Sequence, residues 1–182
     1  YHRYQLQYLG YHFKGKRWVL KAPVHLLFLK YLFEVYPDAQ IVQMHRDPLK
    51  AIPSMSSLVV ISRWIHSDHV SEIKTAKQLL ELMSRNINQS IAYRDAQSSS
   101  QILDISFSEL VKDTIPTVNK IYNWLGVDFT HETKISMSNW LDVSKLKQES
   151  EPHQYSLDQF GLNETRIQDC FARYYERYAD YL

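Results

Sequence analysis

The segment Trp18–Ser57, WVLKAPVHLLFLKYLFEVYPDAQIVQMHRDPLKAIPSMSS, decides the fold of this chain. An apolar run at 18–20 ends in Lys21, and a second apolar run at 41–44 leads through a histidine to Arg46. We interpret both runs as parallel strands joined by a helix. Because the carboxyl ends of parallel strands meet at one edge of a sheet, both cationic side chains are expected there together. The segment therefore predicts an α/β fold with an anion site at that edge.

The helix that joins these strands is predicted between Pro23 and Tyr36. Proline is well tolerated in a first helical turn, and Pro37 ends the segment. An apolar stripe is expected along one helix face: Val24, Leu27, Phe28, Tyr31, Leu32 and Val35. Pro48 can begin a second helix directly behind Arg46, and free backbone N–H groups at its start would attract an anion.

The rest of the chain is predicted to be helical scaffold around one further strand. Helices are expected over residues 1–10, 68–96 and 114–126. Ile102–Ser106 reads as the further strand. A last helix begins at an Asn163 cap and presents one packed face: Ile167, Phe171, Tyr174, Tyr178 and Tyr181. No internal boundary is visible, so residues 1–182 are expected to form a single domain.

The composition narrows the class of protein. A chain of 182 residues is long enough for one packed core. Its formal net charge of +1 gives no general attraction to nucleic acid or a membrane surface, so any preference for an anion must be local. Cys170 is the single cysteine, which excludes an internal disulfide framework and favours a reducing compartment, so a cytoplasmic location is expected. No apolar run reaches membrane-spanning length.

Four phrases of the chain resemble one family of enzymes. The tripeptide RDP at 46–48, with Ser54 eight positions after its arginine, resembles the 3′-phosphate site of sulfotransferases that use 3′-phosphoadenosine 5′-phosphosulfate (PAPS). WVLKAPVHL at 18–26 is similar to the strand and turn that carry the family's catalytic lysine and histidine, and the likeness is nearest to the bacterial-type branch. Two later phrases also resemble that branch: ILDISFSEL at 102–110 and HQYSLDQFGL at 153–162.

The resemblance implies a fold and indicates which part of that fold this chain forms. The expected fold is a P-loop NTPase-like α/β domain of the sulfotransferase type, in which helices flank a parallel sheet. The family's 5′-phosphosulfate loop follows a first strand that belongs upstream of Tyr1. No glycine stands in a phosphate-cradling arrangement after a strand, the four being Gly10, Gly15, Gly126 and Gly161. We therefore expect the C-terminal portion of a sulfotransferase domain, without the first strand and phosphate loop, and expect this portion alone to be inactive.

The resemblance also assigns roles in moving a sulfuryl group from PAPS to a hydroxyl or amine. Arg46 would grip the 3′-phosphate through its planar guanidinium, with a hydrogen bond from the Ser54 hydroxyl. Lys21 would stabilise charge on the leaving oxygen, and His25 would accept the acceptor's proton near neutral pH. The acceptor is expected to be a small molecule or a group on a glycan or lipid, and the family requires no metal.

Two aromatic residues complete the expected nucleotide site. Phe107 occupies a position at which the family often has a tyrosine, so it lacks a hydroxyl but can still pack on the adenine ring. Tyr155 lies in the C-terminal phrase, which is expected near the nucleotide.

Alternatives remain open at this point. His25 follows the lysine by four positions, whereas the cytosolic branch has an interval of two, so His25 is either the base or a first-turn histidine bonded to backbone. Asp47 is expected to cap the helix after Arg46 or to orient Arg46. A metal at His66, Asp68 and His69 is disfavoured because no further strong ligand follows at a suitable interval. Two rival functions are a nucleotide-binding relative without catalysis and a helical interaction module without nucleotide binding.

Overall fold

Two parallel strands form the centre of the fold. In a computed structural model, which describes residues 1–12, 15, 17–97, 100–147 and 156–182, β1 (Ile41–His45) pairs with β2 (Ile102–Ser106). The register runs from Ile41 opposite Ile102 to His45 opposite Ser106. Both strands lie where the sequence predicted them. Since the pairing is parallel, the residues that follow β1 and β2 emerge at the same edge of the sheet.

Helices surround this pair of strands. In chain order they are α1 (His2–His12), α2 (Leu29–Val35), α3 (Pro48–Trp64), α4 (Glu72–Ala96), α5 (Phe107–Lys112), α6 (Thr114–Trp124), α7 (His131–Lys147), α8 (Glu164–Cys170) and α9 (Ala172–Tyr178). Short 3-10 helices span Pro23–Phe28, Asp158–Phe160 and Ala179–Tyr181. None of the helices in the described part of the chain is long and apolar enough to cross a membrane.

The helices α3 and α4 pack against each other as a pair. The Ser71 hydroxyl caps α4 by accepting a hydrogen bond from the Lys74 N–H at 3.2 Å. Arg63, in the last turn of α3, donates to the Thr75 hydroxyl at 2.8 Å and so joins the two helices near their connection. Pro53 is buried inside α3, and the helix continues through it to Trp64.

The core lies between this helix pair and the C-terminal helices. Its buried members are Ile52, Val60, Ala76, Leu80, Ile91, Phe160, Leu162, Ile167, Phe171, Tyr174 and Tyr178. The predicted Asn163 cap is present, because its side-chain oxygen accepts from the Arg166 N–H at 2.7 Å. The predicted packed face of this helix is confirmed, although the helix is interrupted at Phe171 and continues as α9.

The prediction of a strand at 18–20 is wrong. Residues 17–22 form no strand, and Val19 is 89% exposed. A strand requires a hydrogen-bonded neighbour, and β1 and β2 pair only with each other in the described part of the chain. Apolar side chains alone therefore do not make this segment a strand.

The apolar stripe predicted for 23–36 is also wrong in phase. Leu29 is the buried residue of α2, whereas the exposed apolar residues include Val24, Phe28, Tyr31 and Val35. The segment begins as a 3-10 helix, which turns about 20° more per residue than an α-helix. Over one such stretch the buried face rotates away from the stripe expected for a continuous α-helix.

Helices α1 and α7 differ from the sequence-based predictions in different ways. The opening helix was predicted, but α1 buries none of its side chains. Helix α7 was not predicted, and its apolar residues Ile135, Trp140 and Val143 are exposed. The Thr130 hydroxyl marks its start by accepting from the Thr133 N–H at 3.2 Å.

Candidate functional site

The strand register brings Arg46 and Phe107 together. Each follows the last residue of its strand, and the Arg46 guanidinium carbon lies 4.9 Å from the centre of the Phe107 ring. This distance is typical of a cation–π contact. Arg46 is half-buried and has no carboxylate ion-pair partner among the residues that the structure describes. Its charge is therefore available to an anion at the carboxyl edge of the sheet.

Asp47 caps α3, as the sequence predicted. One carboxylate oxygen, Oδ1, accepts from the Leu49 N–H at 2.9 Å and from the Tyr175 hydroxyl at 2.7 Å. Burial, followed by the hydrogen bond to Asp47, raises the pKa of Tyr175, so its hydroxyl stays protonated. The carboxylate beside Arg46 is thus committed to the helix cap and to α9.

The prediction of free N–H groups at the start of α3 is wrong. Pro48 has no N–H, Leu49 donates to the Asp47 side chain, and the Lys50 and Ala51 N–H groups donate to the Asp47 carbonyl at 2.9 Å each. A capping carboxylate also offsets the positive end of the helix dipole. An anion at this edge would therefore be held by side chains and not by the first turn of α3.

Ser54 lies two turns along α3 from the cap. Ser54 comes seven positions after Asp47, which is about two helical turns. It therefore lies on the same helix face as Asp47, about 10 Å further along the axis. Its side chain is half-buried and its hydroxyl has no hydrogen-bond partner within the described part of the chain. The hydroxyl is therefore free to donate to a ligand.

Lys21 and His25 lie in a different local environment. Lys21 is exposed in the irregular segment before the 3-10 helix, and His25 lies inside that helix. The His25 ring sits edge-on to the His2 ring, with 6.5 Å between ring centres, and the His25 backbone N–H donates to the Ala22 carbonyl. Among the described residues, no hydrogen bond, ion pair or ring contact joins either side chain to Arg46. Their convergence on one ligand stays a prediction.

Two further expectations concern Tyr155 and a metal site. Tyr155, with the start of the C-terminal phrase, lies outside the described residues, so its role stays a prediction. In the described part of the chain, no group of three or more histidine, cysteine, aspartate or glutamate side chains could hold a metal ion. His66 instead bonds to the Ser62 carbonyl at 3.0 Å.

A buried polar network next to Arg46 was not predicted from the sequence. His45 is fully buried and lies 2.7 Å from Asp104 through Nε2 and 2.9 Å from the Tyr174 hydroxyl through Nδ1. Arg94 donates to both Asp104 oxygens, at 2.8 and 2.7 Å, and also to Gln43 and Tyr178. Alternation along β1, which buries Gln43 and His45 on one face, was the available signal.

Within this network, Asp104 and Arg94 are both kept in their charged forms. Burial of the Asp104 carboxyl acts to raise its pKa, but hydrogen bonds from Arg94 and then His45 outweigh that effect and hold the pKa at about 2. The Arg94 pKa is raised, because the contacts with Asp104 exceed the opposing effect of burial. Asp104 is therefore a carboxylate at neutral pH and only accepts hydrogen bonds.

Comparisons with known proteins agree with this architecture. The sulfotransferase family matches residues 1–131 of the chain. The fold is similar to that of sulfotransferase STF9 from Mycobacterium avium, with a TM-score of 0.81 and 25% sequence identity. It is also similar to sulfotransferase STF1 from Mycobacterium tuberculosis H37Rv, with a TM-score of 0.74 and 30% identity. No curated protein gives a significant match.

The two structural matches cover the proteins unequally. Each covers 94% of this chain but 44% of the solved chain. The chain thus spans less than half the length of these sulfotransferases.

Proposed function

The chain belongs to the sulfotransferase family, and on this premise we propose that the protein containing it transfers a sulfuryl group from PAPS to a hydroxyl or amine acceptor. The fold class and the bacterial-type resemblance read from the sequence are confirmed by the family match and by the two mycobacterial structures. The PAPS donor, the class of acceptor and the residue roles are proposed here. The single domain over residues 1–182 is proposed as well.

The observation that carries the proposal is the Arg46 guanidinium over the Phe107 ring at the edge of the sheet, where it has no carboxylate partner among the described residues. A planar, permanently charged fork suits the 3′-phosphate, and the free Ser54 hydroxyl can add a hydrogen bond. Phe107 already holds one face of the guanidinium, so the cation needs little reorganisation when the nucleotide binds. We assign Arg46 and Ser54 to the 3′-phosphate, and Phe107 to the nucleotide side of the same site.

Lys21 and His25 are proposed for the chemical step. The bond between sulfur and the oxygen that bridges to the 5′-phosphate breaks, and sulfur forms a new bond with the acceptor oxygen or nitrogen. Lys21 would stabilise the charge left on the bridging oxygen, and His25 would take the acceptor's proton. The products are then the sulfated acceptor and adenosine 3′,5′-bisphosphate. By analogy with phosphoryl transfer, positioning and charge stabilisation supply most of the rate enhancement.

A binding experiment tests the donor assignment. Isothermal titration of the full-length protein with adenosine 3′,5′-bisphosphate and with adenosine 5′-phosphate measures what the 3′-phosphate contributes. In Arg46→Ala we expect the affinity for the bisphosphate to fall by about 10- to 100-fold, because a charge-assisted hydrogen-bonded pair is lost. Arg85→Ala removes an exposed arginine on α4 and serves as the control with unchanged affinity.

The rival functions give different outcomes. A helical interaction module would bind neither nucleotide, which would overturn the proposal. A nucleotide-binding relative would bind the bisphosphate but transfer no sulfate from PAPS to a panel of hydroxyl and amine acceptors. Only a sulfotransferase shows binding that depends on Arg46 together with transfer.

A further inference from the structure

Helix α9 presents two consecutive tyrosines to the turn that carries Arg46. The Tyr174 hydroxyl lies 2.9 Å from His45 Nδ1, and the Tyr175 hydroxyl donates to Asp47 Oδ1 at 2.7 Å. Two phenol groups from one helix therefore hold the residues on both sides of the Arg46 side chain.

The hydrogen-bond directions in this region are mutually consistent. Asp104 is ionised and only accepts, so His45 donates to it from Nε2, while His45 Nδ1 is hydrogen-bonded to the Tyr174 hydroxyl. Arg94 fixes Asp104 through both carboxylate oxygens. The network thus links the Tyr174 hydroxyl through His45 and Asp104 to Arg94.

Helix α9 is itself held in place by α4. Arg173 and Arg177 both pair with Asp95 in the last turn of α4, the former at 2.7 Å. The Tyr178 hydroxyl accepts from Arg94 at 2.8 Å. Arg173 precedes Tyr174 and Tyr175 along the helix and Arg177 follows them, so these ion pairs restrict rotation of the helix about its own axis. The tyrosine hydroxyls therefore have little freedom to leave the turn.

We propose that Tyr174 and Tyr175 are positioning residues for the Arg46 anion site. They do not touch the nucleotide; they fix the backbone between β1 and α3, so that the guanidinium stays over Phe107 and faces the 3′-phosphate. This inference rests on the proposed function, because it assumes that the anion held by Arg46 is that phosphate. Loss of either hydroxyl should weaken recognition of the 3′-phosphate specifically.

The test uses the full-length protein and its Tyr174→Phe and Tyr175→Phe variants. Each variant keeps the ring and removes only the hydroxyl. Isothermal titration gives the Kd for adenosine 3′,5′-bisphosphate and for adenosine 5′-phosphate, and the ratio of the two is the preference for the 3′-phosphate. We expect that preference to fall by roughly three- to tenfold in each variant, the effect of one hydrogen bond. Tyr181→Phe is the matched control with an unchanged ratio, because its hydroxyl has no hydrogen-bond partner in the described residues.

The ratio separates positioning from general stability. A purely structural role would lower the affinity for both nucleotides equally, or lower only the melting temperature. An unchanged preference for the 3′-phosphate in both variants would overturn this inference but not the proposed function. A wild-type protein without any preference for the bisphosphate would overturn the proposed function, and this inference with it. If Tyr174→Phe does not fold, Tyr175→Phe decides, because it leaves the His45 network intact.

Discussion

At the scale of single residues, charge compensation decides which side chains are free to bind. Asp47 and Asp104 both lie near Arg46, yet each is engaged elsewhere, Asp47 by the start of α3 and Asp104 by Arg94 and His45. Within the described residues, Arg46 is therefore left without an ion-pair partner. A basic side chain without a partner is often only a solvated terminus, but here it is half-buried against an aromatic ring.

Asp104 makes stability depend on pH. Its pKa lies at about 2 in the folded protein against an ordinary value of 3.8, so its stabilising contribution is complete above about pH 5 and is lost as the pH falls through about 2. The difference corresponds to about 2 kcal/mol. Urea unfolding of the full-length protein between pH 2 and 6 measures this loss.

Asp104→Asn isolates the contribution of that carboxylate. At neutral pH the variant should be less stable than wild type, because Arg94 and His45 lose a charged partner. The stability difference between the two proteins should shrink as the pH approaches 2. A difference that stays constant over this range would contradict the proposed ionisation.

At the scale of elements, caps define where helices begin and how they meet the strands. The Asp47 cap joins β1 to α3, and the Asn163 cap starts α8 directly after the turn at Gly161. Gly161 has a φ of 59°, which an L side chain rarely adopts, and an added Cβ would lie 3.1 Å from Ile73 Cγ2. This turn therefore directs α8 and α9 back toward α4 and the sheet.

The Asn163 cap should have a measurable effect on stability. Asn163→Ala leaves the Arg166 N–H without its acceptor and should lower the free energy of unfolding by about 1 kcal/mol. Asn119→Ala replaces an exposed asparagine inside α6 and should cause no loss, since alanine favours helix interiors. Equal effects of the two substitutions on urea unfolding would argue against the cap.

At the scale of the whole molecule, the C-terminal helices complete both the core and the candidate site. The face of α8 and α9 that packs against α3 and α4 continues into the tyrosines that hold the Arg46 turn. Packing in the core and geometry at the site are thus coupled through one helical segment. Damage to the core beneath α8 is therefore expected to reach the anion site.

A core substitution tests how much this packing contributes to the free energy of unfolding. Ile167 is fully buried, and Ile167→Ala should lower the free energy of unfolding by about 2–5 kcal/mol through lost burial and a residual cavity. Ile135→Ala, on the exposed side of α7, should cost less than about 1 kcal/mol. Chemical denaturation of both full-length variants measures the free energy of unfolding. A loss for Ile167→Ala as small as that for Ile135→Ala would show that this packed face contributes little to stability.

Much of this architecture was predictable because its signals are local. Strand β2, the Asn163 cap and the position of Arg46 after β1 follow from hydrophobic period, capping chemistry and turn residues within short windows. The family phrases identified the fold for the same reason, since each lies within a few consecutive residues.

Other features required the tertiary structure. The apolar run at 18–20 remained outside the sheet because strand formation depends on a neighbouring strand and not on side chains alone. Tyr174 reaches His45 across 129 positions, and Tyr175 reaches Asp47 across 128. No local pattern encodes such pairs. The sequence by itself indicated candidate residues for the chemistry, because their signals lie within short windows. Packing between distant segments decided that Asp47 and Asp104 are engaged by other groups and that Arg46 has no carboxylate partner in the described part of the chain.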